Sequence, residues 1–469
     1  MGYPLSWERT FKEIVEAVKK LFGAYQFKSI IIVFSTEGAV IIENNDKTLI
    51  FDKTRQEDDW ISEKGREGRV FGYASCVLAS LVYYEANNNC DKISAIKKGL
   101  LAARELHKCG YICKDKSLDF PYESVSKKIK ENSSKDNAFS IFKGRGNETI
   151  LEYALHKKRS NKYELAKQIV EEGIDEALKI KNIYREEIGK WISLDKDEIE
   201  RVRAIRNIIK VYLKDWPQKK PLSIAVFGPP GSGKSFSIKE ILRNSSKDKD
   251  NIVIETYNLS QIESPNELTT VFHKIRDIYL NSKIPCFFWD EFDSILNSEQ
   301  LGWLKHFLAP MQDSNFYQAG FIRPLGAAIF VFAGGTSKTY SEFIESKGLT
   351  KKEKQKIKLP DFISRIDGFL DVKGINRNRE EYGILGFFTN DDHYIKRAIL
   401  LRSLLEKKLT KNEDYMDEYV LEKLLKTYEY KFGIRSMEKI IELSHIKDKK
   451  RFTISCLPSK SIIKTHIDL

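Results

Sequence analysis

Spacing of the apolar residues divides the chain into stretches of different character. Trp7, Phe11, Ile14, Val15, Val18, Leu21 and Phe22 share one face at helical spacing and predict an amphipathic helix over Trp7–Phe22. Ser29–Phe34 and Gly38–Ile42 are rich in β-branched residues and predict two strands joined by a turn at Glu37-Gly38. Two helices follow. The second, Asp91–His107, sets Ile93, Ile96, Leu100, Ala103 and Leu106 on one face, with Gly110 as its C-cap. Residues 114 to about 160 are polar, lysine-rich and broken by Pro121, Gly144 and Gly146, the pattern of a linker or loose insertion. Tyr163–Asp215 reads as charged helix stopped by Pro217, and no fixed-period repeat is visible.

From Pro221 onward, five apolar runs alternate with helices: Ser223–Phe227, Ile252–Tyr257, Pro285–Trp289, Ala327–Phe332 and Gly368–Val372. Such alternation predicts an α/β sheet, mostly parallel, whose strands are buried on both faces. After Asn390 the pattern turns helical, over Asp392–Lys408, Asp417–Tyr430 and Ile434–Ser444. The expected organisation is an α/β module over 1–113, a linker with charged helices over 114–195, an α/β domain over 196–390, and a helical lid and tail over 391–469.

Composition narrows the class. With 41% hydrophobic residues in 469, the chain can bury substantial cores. Its longest apolar stretch, Leu325–Gly335, falls short of the ~20 residues that cross a bilayer, so no membrane partner is expected. No secretory pattern opens the chain; Met1-Gly2 with Ser6 fits a myristoylation pattern too short to carry weight. Six scattered cysteines suit a reducing compartment and a cytoplasmic protein. His107, Cys109 and Cys113 lack a second cysteine pair and read as ordinary packing. The net charge of +12, from 79 basic and 67 acidic residues, suits a polyanion. Its lysines are spread along the chain, however, and even the run Lys351–Lys358 contains Glu353, which favours a solvated face.

Gly228-Pro229-Pro230-Gly231-Ser232-Gly233-Lys234-Ser235 follows the strand Ser223–Phe227 and opens a helix. Glycines there let backbone N–H groups curl around phosphates, and the helix N-terminus adds partial positive charge. In such a motif Lys234 can reach the β- and γ-phosphates of ATP, and the Ser235 hydroxyl can ligate Mg²⁺. Cys286–Glu291 supplies the acidic complement, an apolar strand ending in two carboxylates. Strand alternation sends neighbouring side chains different ways. Asp290 would then hold Mg²⁺ through water, and Glu291 would polarise the attacking water.

These two elements with the helical tail resemble the AAA+ ATPases, and further segments resemble their Clp/HslU unfoldase class. Ile329–Ser337 is similar to the strand and Gly-Gly turn that carry sensor 1, which implies Thr336 or Ser337 for that role; the asparagine common in other branches is absent. Pro360–Ile366 is similar to the segment whose arginine, here Arg365, is the finger acting on a neighbouring subunit. Gly433-Ile434-Arg435 is similar to the opening of the sensor-2 helix, which implies that Arg435 contacts the nucleotide. Asn258–Gln261, Phe287–Asp293, Leu301–Leu304, Leu308–Asp313 and Arg435–Glu438 resemble bacterial AAA+ ATPases that often carry ryanodine-receptor-like domains and are linked to conflict or antiviral defence; no such domain is evident in this sequence.

The N-terminal region resembles the C-terminal half of ribokinase-type (PfkB) sugar kinases, through Ile31–Ile42, Gly72-Tyr73-Ala74-Ser75 and the Ala95–Gly110 helix. Ser75 stands where that family has its aspartate base. The expected function is ATP hydrolysis by a homo-oligomeric ring, a hexamer, that remodels a protein recognised through the N-terminal module. A nucleic-acid-dependent loader or helicase and a nucleotide-gated assembly switch remain open. An aromatic-hydrophobic-Gly pore element is missing between Ile252 and Asn281, which counts against a threading unfoldase.

Overall fold

The structure is a computed structural model that describes residues 6–22, 27–43, 46–55, 59–63, 68–114, 117–131, 138–144, 148–181, 183–246, 251–377, 391–409, 416–446 and 451–468. The chain forms two compact units, one of residues 1–161 with 178–186, the other of 162–177 with 187–469.

In the first unit, helix α1 (Trp7–Phe22) has the predicted bounds and buries Trp7, Phe11 and Val18. Leu21 and Phe22, at its end, are exposed. Strands β1 (Ser29–Phe34), β2 (Gly38–Glu43), β3 (Asp46–Asp52) and β4 (Phe139–Phe142) form one antiparallel sheet in that order. Helices α2 (Tyr73–Ala86) and α3 (Lys92–Cys109) pack with it: Val77, Ile96 and Leu100 share a core with Ala39, Ile41, Ile50 and Phe139. Gly99 permits this, because a Cβ there would lie 2.5 Å from Cα of Val77. Asp91 caps α3 by accepting from the Ser94 N–H, and Gly110 ends the helix as expected.

Strand β4 lies inside the stretch expected to be a linker. Four residues among lysines and glycines carry too little periodicity to be read locally. Pairing with β3, from Leu49↔Phe142 to Asp52↔Phe139, is what makes them a strand. Likewise the short strands Glu186–Ile188 and Trp191–Ser193 interrupt the expected helical run over 163–215. Helix Lys162–Glu172 belongs to the second unit, where Val170 O accepts from Arg402 at 2.8 Å and the Tyr163 and Tyr394 rings meet.

The second unit follows helix α4 (Lys196–Lys214) with all five predicted strands: β5 (Leu222–Phe227), β6 (Ile252–Asn258), β7 (Ile284–Asp290), β8 (Ile329–Ala333) and β9 (Gly368–Asp371). They form a wholly parallel sheet in the order β6-β7-β8-β5-β9. Helices α5 (Lys234–Arg243), α6 (Pro265–Leu280) and α7 (Leu304–Asp313) connect them, and α8 (Asp392–Leu405), α9 (Glu418–Lys426) and α10 (Ile434–Leu443) form the lid. The core is aromatic. Phe227, Phe287, Trp289, Phe292, Phe307, Phe330, Phe332 and Phe362 pack together, which accounts for the continuous apolar runs of the strands. Among the described residues no helix is long and apolar enough to cross a membrane.

Candidate active site

Parallel pairing aligns the carboxyl ends of the central strands. Asp290 lies opposite Ala333, Ala333 lies opposite Val226, and the Gly334 N–H donates to Val226 O at 2.8 Å. The chain leaves β5 toward one edge of the sheet and later returns to its other side at β9, so a topological switch point lies at the end of β5. Open α/β sheets bind ligands at such crevices. The loop Gly228–Gly233 starts there.

Gly231 and Gly233 sit at φ 69° and 88°, in the left-handed region. A Cβ on Gly231 would also lie 2.3 Å from the carbonyl oxygen of Phe432, so only glycine fits where the lid meets the loop. The Ser232 N–H donates to Pro229 O at 3.1 Å and closes the turn. The N–H groups of Gly233, Lys234 and Ser235 find no acceptor among the described residues. The buried Ser232 hydroxyl also lacks a partner. Unpaired donors at the N-terminus of α5 are what an anion such as a phosphate chain satisfies. These residues therefore fit ATP.

Four further groups surround this donor cluster. Lys234 Nζ donates to Gly228 O at 2.8 Å. Burial lowers the Lys234 pKa, Asp290, Asp293 and Glu291 oppose that shift, and Arg435 reinforces it. Asp290 is pushed above the ordinary carboxylate range, first by burial and then by Glu291, with Lys234 and Arg435 acting against the rise. The fold thus brings Lys234, Asp290, Glu291 and Arg435, from β5–α5, β7 and α10, within electrostatic reach of one another. A half-buried carboxylate that resists ionisation is suited to a cation, and the carboxylate of Asp290 and the hydroxyl of half-buried Ser235 are oxygen donors of the chemical kind that Mg²⁺ takes. Glu291 stands at φ 55°, a left-handed conformation unusual for a side-chain-bearing residue, held by its N–H donating to Ala333 O at 2.9 Å.

Arg435 owes its position to the start of the lid. The Ile434 N–H donates to Gly231 O at 2.9 Å, so α10 begins against the phosphate loop. Asn376 steadies the segment that leads into α10, with its amide donating to Tyr430 O at 2.8 Å and its oxygen accepting from Tyr430 N–H at 2.9 Å.

Thr336 and Ser337 lie in the turn that follows β8. Their backbone N–H groups donate to Asp293 at 3.0 and 3.1 Å, with Gly335 N–H at 2.7 Å, and the Thr336 side chain is exposed. Arg365 is not part of its own chain's cluster. Its guanidinium turns back to Asp361 O, 3.5 Å from Ser364 Oγ and 4.0 Å from Asp361 Oδ1. Asp293 was the residue that motif spacing missed. It follows Asp290-Glu291 in sequence, but its partners lie more than forty residues away.

No protein-family model matches the chain, and no curated protein matches it in sequence. Among solved structures it is similar to NtrX from Brucella abortus in complex with ADP, at 14% identity over 62% of this chain and 58% of that one, TM-score 0.36. The ATP complex of NtrX aligns at 14% identity over 63% and 60%, TM-score 0.37. Aeropyrum pernix ORC2, in ADPNP-ADP complexes, aligns at 14% identity over 44% and 61%, TM-score 0.29. The chain thus spans less than two thirds of the length of each of these proteins.

Proposed function

We propose that the second unit is an AAA+-type ATP hydrolase. One observation carries the reading: Lys234, Asp290, Glu291 and Arg435, far apart in sequence, gather beside unpaired N–H donors at the start of α5. Lys234 and the N–H groups bind the phosphates. Ser235 and Asp290 hold Mg²⁺, which offsets phosphate charge. Glu291 orients water toward the γ-phosphate and accepts its proton, and Arg435 links the lid to the nucleotide. Thr336 and Ser337, after β8, border the γ-phosphate side in the sensor-1 position.

Arg365 acts in trans on this reading, reaching the nucleotide of a neighbouring subunit in a ring, most simply a hexamer, of the Clp/HslU type. Exposed Ser364 and partly exposed Asp361, beside it, support a role at a subunit boundary. The ring remodels a partner, in the manner of the bacterial defence-associated ATPases its motifs resemble. The first unit recognises that partner. Ser75, exposed in the first turn of α2, is too weak a base for the sugar-kinase chemistry that the resemblance would otherwise suggest.

The test is turnover and binding in the full chain. Lys234→Ala should lose ATP binding; Glu291→Gln should keep ATP bound and stall hydrolysis, because an amide cannot accept the water proton. Equal loss of binding in both variants would end the division of roles. Steep, salt-sensitive stimulation by DNA or RNA would transfer the assignment to a nucleic-acid-dependent ATPase.

A further inference from the structure

We infer that Asp293 is a positioning residue for hydrolysis: it locks the Gly335–Ser337 turn after β8 against the acidic turn after β7 and thereby holds Glu291 in its working orientation. The inference rests on the proposed role of Glu291 as the residue that activates water.

The geometry is specific. Asp293 is 4% exposed, and its two carboxylate oxygens accept three successive backbone N–H groups, Oδ1 from Gly335 at 2.7 Å and Oδ2 from Thr336 and Ser337 at 3.0 and 3.1 Å. A carboxylate that gathers several backbone donors is a charge-assisted clamp, stronger than the same contacts to a neutral acceptor. The turn held in this way packs directly on Glu291. A Cβ on Gly335 would lie 2.9 Å from Glu291 Cγ, so the glycine leaves the space through which that side chain passes. On the other side, Glu291 N–H donates to Ala333 O, and Ser294 N–H donates to Glu291 O, both at 2.9 Å. Glu291 is therefore gripped from its own turn and from the neighbouring strand end, in a backbone conformation it would not adopt freely. Asp293 also acts on Lys234, ranking after Asp290 among the carboxylates that do so. It thus contributes to the field of the site while remaining out of contact with solvent.

Asn at 293 keeps the shape and loses the charge and one acceptor oxygen, so the three N–H groups cannot all be satisfied. Gly335→Ala reaches the same Glu291 side chain without altering Asp293. Both variants, with wild type and Glu291→Gln, would be compared in the full chain by nucleotide binding, steady-state turnover and amide exchange of residues 333–339. Expected results for Asp293→Asn are ATP affinity within about twofold of wild type, kcat lowered roughly ten- to a hundredfold as for a misplaced catalytic group, and faster exchange at Gly335–Ser337. Gly335→Ala should reproduce the kcat loss with affinity retained. Wild-type kcat in both variants overturns the inference. Loss of affinity in step with kcat also overturns it, because Asp293 would then serve phosphate binding. Undiminished turnover in Glu291→Gln would instead refute the role of Glu291 itself, whatever Asp293 does.

Discussion

The backbone N–H of Ile434 donates to the carbonyl of Gly231 at 2.9 Å, so the first turn of α10 rests on the glycine loop Gly228–Gly233 itself. Any movement of that loop on binding a nucleotide is felt one residue away, at Arg435. Gly231→Ala should break this contact. The new methyl group would meet Phe432 O, and the left-handed backbone at φ 69° costs a further ~1–2 kcal/mol for a residue with a side chain. The expected outcome is at least a tenfold loss of nucleotide affinity with the circular-dichroism spectrum retained; wild-type affinity would contradict it.

Arg365 is turned onto Asp361 of its own chain, so the role in hydrolysis proposed for it depends on a neighbouring subunit. Specific ATPase activity should therefore rise with protein concentration. Arg365→Ala should lower kcat by roughly 10³-fold, the scale of an arginine finger, while ATP stays bound. Full turnover by a monomer in sedimentation would return Arg365 to a surface ion pair.

Asp290 is raised above the ordinary carboxylate range by burial and by Glu291. The folded chain thus binds this proton more tightly than the unfolded chain does. Its contribution to stability is complete at low pH and is lost as pH rises through the folded-state value. At neutral pH the folded chain carries the cost of the ionised group. Asp290→Asn should accordingly raise Tm at pH 7 in the absence of nucleotide and Mg²⁺. The gain should shrink as pH falls toward about 4, the ordinary range of aspartate. The same variant should be inactive. A Tm gain that grew on acidification would contradict the sign.

Arg397 is fully buried in the lid and donates to Ile375 O at 2.8 Å, Leu425 O at 2.7 Å and Thr427 O at 2.6 Å, with its guanidinium over the Tyr430 ring. Burial lowers its pKa to about 10, so it remains charged at neutral pH. Arg397→Met would fill the volume but leave three buried carbonyls unpaired, each costing about 1–3 kcal/mol. Urea unfolding should show a loss of roughly 3 kcal/mol or more. A change below about 1 kcal/mol, the scale of an ordinary surface substitution, would mean that water or neighbouring donors replace the guanidinium.

Local chemistry made much of the second unit legible. Gly228–Ser235 announces itself because a turn of glycines before a Lys-Ser pair has few other uses, and the five strands are apolar runs long enough to show their burial. The α1 helix and the Gly110 cap were readable for the same reason: each is decided within a few residues along the chain. What the tertiary structure alone decided depends on partners distant in sequence. Phe139–Phe142 becomes a strand only because β3 offers a free edge, and Lys162–Glu172 leaves its expected linker because α8 receives it. Asp293 looks like one more acidic residue after a strand until the parallel register brings Gly335–Ser337 to its carboxylate. Hydrophobic periodicity reports which face of an element is buried. It carries no information about which distant backbone groups will converge on a buried charge, and at this site that convergence orients Glu291.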